Sequence, residues 1–191
     1  MGALERWYLR QVAIWAQVFG LKAAALRAQQ RILAADPDDA RALMSVGFAL
    51  AQEDRFREAL ARFDHAARVA PDSFEAHYNR AYLLQKLNDH DAALDAFVRA
   101  LALAPDNDLA LYGQALSLIA LRRLDEAIAP LERNTRLQPM SPYGWYQLGR
   151  VQFARGKPEK TQVIIDHLGK FEPKIAAQLA RETGLKAPPA P

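Results

Sequence analysis

The chain has no cysteine, which excludes disulfides and cysteine-ligated zinc and is compatible with a reducing compartment. Glycine is scarce as well, 9 of 191 residues, while Ala, Leu and Arg abound, so the composition favours helix. No stretch offers 18 consecutive apolar residues, which argues against an ordinary transmembrane helix. No P-loop, G-x-G-x-x-G, H-E-x-x-H or G-x-S-x-G motif occurs. Those absences point away from an enzyme and from any cofactor or metal.

The composition that remains is that of a globular protein, 51% apolar and 25% charged. Arg outnumbers Lys 18 to 7, a bias that a GC-rich bacterial genome explains before any function does. The net charge is +3 but uneven. Residues 1–35 hold five basic side chains against one acid, +4; residues 36–139 hold 12 against 17, −5; residues 140–191 hold 8 against 4, +4. An acidic middle between basic ends is not the basic stripe of a nucleic-acid binder, so no nucleic-acid partner is expected.

Prolines recur with a fixed period. Pro37, Pro71, Pro105, Pro139 and Pro173 are each 34 residues apart. Frames 6–39, 40–73, 74–107, 108–141 and 142–175 place them all at position 32. Position 8 then holds Ala13, Gly47, Ala81, Ala115 and Gly149, and position 20 holds Ala25, Ala59, Ala93, Ala127 and Thr161. Small residues at both places let two antiparallel helices approach closely. Each frame reads as helix A, a tight turn near position 15 (Gly20, Asp54, Asn88, Arg122, Gly156), and helix B. Gly and Asn tolerate the left-handed conformation of such a turn; Arg122 does not fit, and its turn is expected to differ. The proline ends helix B, since it lacks an N–H and disfavours helix in the residue before it. The Asp, Asn or Ser residues that follow can cap the next helix A. Pro130, about five residues past the expected cap Asp125, should loosen or kink its helix. His77, at position 4 of its frame, reads as a packed, hydrogen-bonded histidine. "NDHDAALD" (88–95) reads as a helix cap more readily than as a metal cluster.

The chain resembles the tetratricopeptide repeat family, whose 34-residue pattern is W-x2-L-G-x2-Y, A-x3-F, A, P. Trp145, Leu148 and Gly149 match its first half; Gly47, Ala59, Phe63, Ala66 and Pro71, and then Ala93, Phe97, Ala100 and Pro105, match two further frames. Frame 108–141 keeps Ala127 and Pro139, and frame 6–39 keeps Gly20, Ala25 and Pro37. Thr161 and Leu168 depart from the pattern. The resemblance implies an all-α fold, a right-handed α-solenoid of antiparallel helix pairs. Residues 1–39 form an apolar N-terminal helix and a degenerate first repeat. Residues 40–173 form four repeats (40–73, 74–107, 108–141, 142–173), 174–184 a capping helix, and 185–191 a disordered tail.

In that family the A helices line a concave groove, with positions 2, 5, 6, 9, 12 and 13 pointing into it. Carried over residue by residue, the resemblance implies an aromatic groove built from Met44, Phe48, Tyr78, Asn79, Tyr82, Tyr112, Leu116, Tyr146, Arg150 and Phe153. Some members hold a C-terminal carboxylate through Lys, Asn and Arg; here Met44, Phe48, Leu109 and Gly113 stand in such places and only Asn79 fits, so that clamp is not expected. The implied role is a non-enzymatic adaptor that binds a protein or peptide, in the cytoplasm.

The N-terminal helix raises a second site. Trp7, Tyr8, Ile14, Trp15, Val18 and Phe19 are more apolar side chains than one neighbour could cover, interrupted by Arg10, Gln11, Gln17 and Lys22. It lacks the clean apolar core of a secretory signal, and Arg6 stands where a myristoylation motif needs Ser or Thr. Three fates are open: full packing against 40–73 and the Ala-rich helix that follows it, a homodimer interface, or a membrane surface with Arg6, Arg10, Lys22 and Arg27 toward anionic lipid. The last two define the alternative function, a self-associating or membrane-peripheral assembly factor at the inner membrane.

Overall fold

The computed structural model describes residues 2–187; of the expected tail, residues 188–191 lie outside the described part, as does the side chain of Gln17. Eleven α-helices occur among the described residues, and no strand: α1 (Ala3–Val18), α2 (Lys22–Ala35), α3 (Ala40–Gln52), α4 (Phe56–Val69), α5 (Phe74–Lys86), α6 (His90–Leu103), α7 (Asp108–Ala120), α8 (Leu124–Leu137), α9 (Pro142–Ala154), α10 (Pro158–Leu168) and α11 (Pro173–Thr183). The fold is an all-α solenoid of antiparallel helix pairs, in two compact units, Met1–Leu103 and Ala104–Pro191.

The period in the sequence becomes a period in backbone geometry. Position 15 is left-handed in all five frames: Gly20 (φ 68°), Asp54 (57°), Asn88 (61°), Arg122 (61°) and Gly156 (73°). Arg122 therefore does not make a different turn. The repeat needs the left-handed residue to reverse the chain, and packing on both sides overrides its preference. At the other end, the residue two places after Pro37, Pro71, Pro105 and Pro139 is the N-cap of the next A helix. Asp39 Oδ1 accepts from Ala42 N–H (3.0 Å), Ser73 Oγ from Ala76 N–H (3.2 Å) and Asn107 Oδ1 from Ala110 N–H (2.9 Å). Each such cap contributes about 1 kcal/mol. Ring nitrogens at position 4 hold the proline corner itself: His77 Nε2 lies 2.8 Å from the Pro71 carbonyl, and Trp145 Nε1 donates to the Pro139 carbonyl at 2.9 Å.

Two expectations about α8 change. Asp125 is not its cap; the helix begins at Leu124 after Arg123, and Asp125 in its first turn pairs with Arg155 at 2.6 Å. The helix also runs without interruption through Pro130. Proline there removes one N–H···O bond, but Pro130 is buried beside Ala127 and Leu131, and that packing holds the turn.

In the first unit the core is Leu9, Ala13, Ala28, Ile32 and Ala42, then Val46, Leu50, Ala59, Phe63 and Leu83, with Leu43, Ala66 and Ala76. A Cβ on Gly47 would stand 3.0 Å from the Phe63 ring, so its absence lets that ring sit close against α3. In the second unit α11 packs on both α9 and α10. It buries Ala176, Leu179 and Ala180 and ends at Gly184 (φ 68°). This covers an apolar face that the last repeat would otherwise leave open.

One pair of substitutions in the second unit compensates. Position 27 is Ala in two frames but Asn134 in the fourth, where Nδ2 donates to the Asp108 carbonyl at 2.9 Å. Position 3 of the next frame is Gly144, where Ala42, Ala76 and Ala110 stand elsewhere; a Cβ there would lie 2.1 Å from Asn134 Oδ1. Gly144→Ala is therefore expected to cost about 1–3 kcal/mol in urea unfolding. Adding Asn134→Ala should recover most of that loss, a coupling that a double-mutant cycle reads directly. Arg122→Gly, by relieving a left-handed non-glycine residue, is expected to stabilise by about 0.5–1 kcal/mol in the same assay.

Candidate functional site

In the first unit, α3 and α5 carry the expected groove residues. Met44 is half-buried, and Phe48 is 48% exposed. Its ring meets buried Phe63 edge-on, centroids 5.4 Å apart at 80°. Gly47 admits Phe63 to the seam, and Phe63 in turn supports Phe48 from beneath. In front of Phe48 lies a cavity of about 480 Å³, whose lining includes Leu26, Gln29, Ser45, Ala49 and Gln52. Tyr82 holds the same repeat position on α5, 44% exposed, with the Lys86 ammonium 5.4 Å from its ring centroid. Tyr78 is half-buried, stacked on Phe74 (5.6 Å) and edge-on to Phe97 (6.1 Å). Asn79 is buried, 9% exposed.

In the second unit, Tyr112 and Leu116 are half-buried on α7. Tyr112 lines a cavity of about 440 Å³ with Leu109, Asn134, Gln138 and Tyr143. Burial pushes its phenol pKa up, and a hydrogen bond from Gln147 partly offsets that. On α9, Phe153 and Arg150 are exposed, whereas Tyr146 is tied to the capping helix. The Tyr146 hydroxyl donates to the Glu182 carboxylate (2.7 Å), and Gln178 Nε2 donates to the Tyr146 oxygen (3.1 Å) and to Glu182 Oε1 (2.9 Å). The Arg150 guanidinium sits 5.7 Å from the Tyr146 ring centroid, with Nε 3.8 Å from Glu182 Oε2. The tyrosine is held above its usual range, chiefly by burial and then by the neighbouring carboxylate. Gln178 and Glu182 did not figure in the sequence reading. Their signal was a polar pair four residues apart on α11, facing a groove position.

The N-terminal helix is not fully packed. Leu9, Ala13 and Ala16 are buried, while Trp7, Tyr8, Ile14, Trp15, Val18 and Phe19 are between 52% and 70% exposed. The helix packs chiefly on α2, and one neighbour covers only one arc of a helix. Two cations expected to face outward are engaged instead: Arg6 pairs with Asp36 (3.1 Å) and Arg10 with Asp39 (2.6 Å). No helix of the described residues is long and apolar enough to cross a membrane.

Asp89 caps α6 through Ala92 N–H at 3.3 Å. Among the described residues, no group of three or more His, Asp or Glu is placed to hold a metal ion.

Two family models, both described as tetratricopeptide repeat, match residues 74–107 and 112–160. The first coincides with one of the 34-residue frames. No curated protein matches the chain. Among solved structures, YrrB, described as a TPR protein with an unusual peptide-binding site, superposes with a TM-score of 0.81 at 22% identity over 88% of each chain. MamA from Desulfovibrio magneticus RS-1, residues 41 to the end, gives 0.78 at 22% identity over 95% of this chain and 98% of that one. A further MamA structure gives 0.78 at 19% identity over 94% of each chain.

Hydrogen bonds from Gln178 and Tyr146 hold the Glu182 carboxyl below its usual range. Its contribution to docking α11 is therefore complete above the ordinary carboxylate pKa and lost as pH falls through the lowered value. Glu182→Gln is expected to lower stability at neutral pH by no more than about 1 kcal/mol, because the side chain is partly solvated. That difference should vanish in acid, which Tm against pH for the two proteins would show.

Proposed function

The chain belongs to the tetratricopeptide repeat family, and on that premise we propose that it is a non-catalytic adaptor that binds a protein or peptide segment along the aromatic faces of its A helices. Proteins of this family are typically non-catalytic interaction scaffolds.

The observation that carries the reading is the pair Phe48 and Tyr82. Both are large and aromatic, both stand at position 9 of consecutive A helices, and nearly half of each side chain is open to solvent. Core packing does not account for them, since a seam ring such as Phe63 is buried. They are also pre-positioned. Phe48 rests on Phe63 and Tyr82 lies beside Lys86, so little side-chain ordering remains to be done when a ligand arrives. Rigid aromatic groups of this kind are common interface anchors. The Phe48 cavity, apolar on one wall and with Gln29 and Gln52 within reach, suits an apolar ligand side chain flanked by backbone amides.

The second unit offers Leu109, Tyr112 and Tyr143 around its own cavity and Phe153 on α9. Tyr146 and Arg150 contribute less, because each is already engaged with Glu182. The peptide-binding site named for YrrB supports the reading by likeness of fold.

The test is selection of peptides from a display library on the full chain, followed by calorimetry. Phe48→Ala with Tyr82→Ala is expected to weaken a selected peptide by roughly tenfold or more per anchor while far-UV helicity stays unchanged. Peptides that bind the double variant as tightly as the parent would sink the proposal.

A further inference from the structure

The outward arc of α1 is a surface that the peptide reading does not use. At 100° per residue, Trp7, Ile14 and Val18 point away from buried Leu9, with Tyr8, Trp15 and Phe19 beside them. Trp15 and Phe19 stack one turn apart, centroids 6.1 Å. Surface helices ordinarily turn a polar face outward; this one presents aromatic rings.

The charges around the arc indicate what covers it. The sole acid of residues 2–35 is Glu5, and Arg31 pairs with it at 3.0 Å. Arg6 and Arg10 are neutralised by Asp36 and Asp39. Lys22, at the start of α2 just past the arc, and Arg27 on the same helix are exposed and make no ion pair among the described residues. The unpaired charge of α1 and α2 is therefore cationic. A symmetric contact between two copies of this arc would add no acid to offset the unpaired Lys22 and Arg27 of each copy. An anionic, apolar surface satisfies both features, and Trp and Tyr favour the boundary between headgroup and acyl chain.

We propose that α1 lies flat on an anionic lipid surface, its Trp7–Phe19 arc in the interfacial layer and Lys22 and Arg27 against lipid headgroups. The helix does not span the bilayer, being too short and too polar for that. The attachment would set the adaptor at a membrane surface; Lys22 also lines the Phe48 cavity, whereas Trp7 and Trp15 do not, so the tryptophan variant separates the lipid contact from the peptide site.

The test is co-sedimentation of the full chain with vesicles of phosphatidylcholine alone and of phosphatidylcholine mixed with phosphatidylglycerol. Binding is expected with the mixed vesicles only, and to weaken as salt rises. Trp7→Ser with Trp15→Ser should reduce partitioning roughly tenfold or more, and Lys22→Glu with Arg27→Glu should do so by a similar factor with the apolar arc intact. All four side chains are exposed, so helicity by circular dichroism should hold. A chain that stays in the supernatant, or that binds neutral vesicles equally well, overturns the proposal. So does a lipid-free dimer by light scattering that the tryptophan variant abolishes, since a second copy would then be the occupant.

Discussion

Where a Cβ on Gly47 would stand, the Phe63 ring lies 3.0 Å away. The approach of α3 and α4 that this permits is the distance on which the rest of the repeat depends. With the helices this close, Phe63 reaches across the seam, fills it, and holds Phe48 on the far side. The same constraint recurs at Gly149. A Cβ there would meet Leu179 Cδ2 at 2.5 Å, and the seam closes on the capping helix instead. Small residues at a few fixed positions thus do two things. They set interhelical spacing, and they decide which larger side chain is driven into the space and which is left at the surface.

The repeat corners act on the same geometry from outside. A left-handed residue at position 15, a proline at position 32 and a cap at position 34 are local devices, the cap contributing about 1 kcal/mol where its side chain accepts the bond. Their joint effect is to keep every A helix starting and stopping in register. Because the register holds, position 9 means the same thing in α3 and in α5, and Phe48 and Tyr82 are comparably exposed there. In the proposed adaptor, recognition rests on this regular spacing together with the two aromatic side chains.

The first and last of the described helices use their apolar surface differently. At the C-terminal end α11 buries Leu179 and supplies Glu182 and Gln178 to Tyr146, so an apolar face is closed and a groove tyrosine is fastened. At the N-terminal end α1 buries Leu9 and Ala13 but turns its tryptophans outward. A helix with one principal neighbour cannot bury two opposite arcs. The surplus aromatic surface is a chemical resource there, where at the other end it would have been a liability.

Sequence alone determined the period, the helix pairs, the small seam and the proline corners. Each of these is written in residue types whose physical effect is local or repeats at fixed spacing. Arg122 shows where that reading stops, because a left-handed arginine is disfavoured locally and imposed only by the turn the repeat requires. Pro130 stops it in the same way, its lost hydrogen bond outweighed by burial. Tertiary structure alone decided that Asn134 is matched to Gly144, that Tyr146 belongs to Glu182, and that Arg6 and Arg10 are neutralised while Lys22 is not. Those facts depend on which side chains from distant helices meet, and a contact between helices leaves no period in the chain.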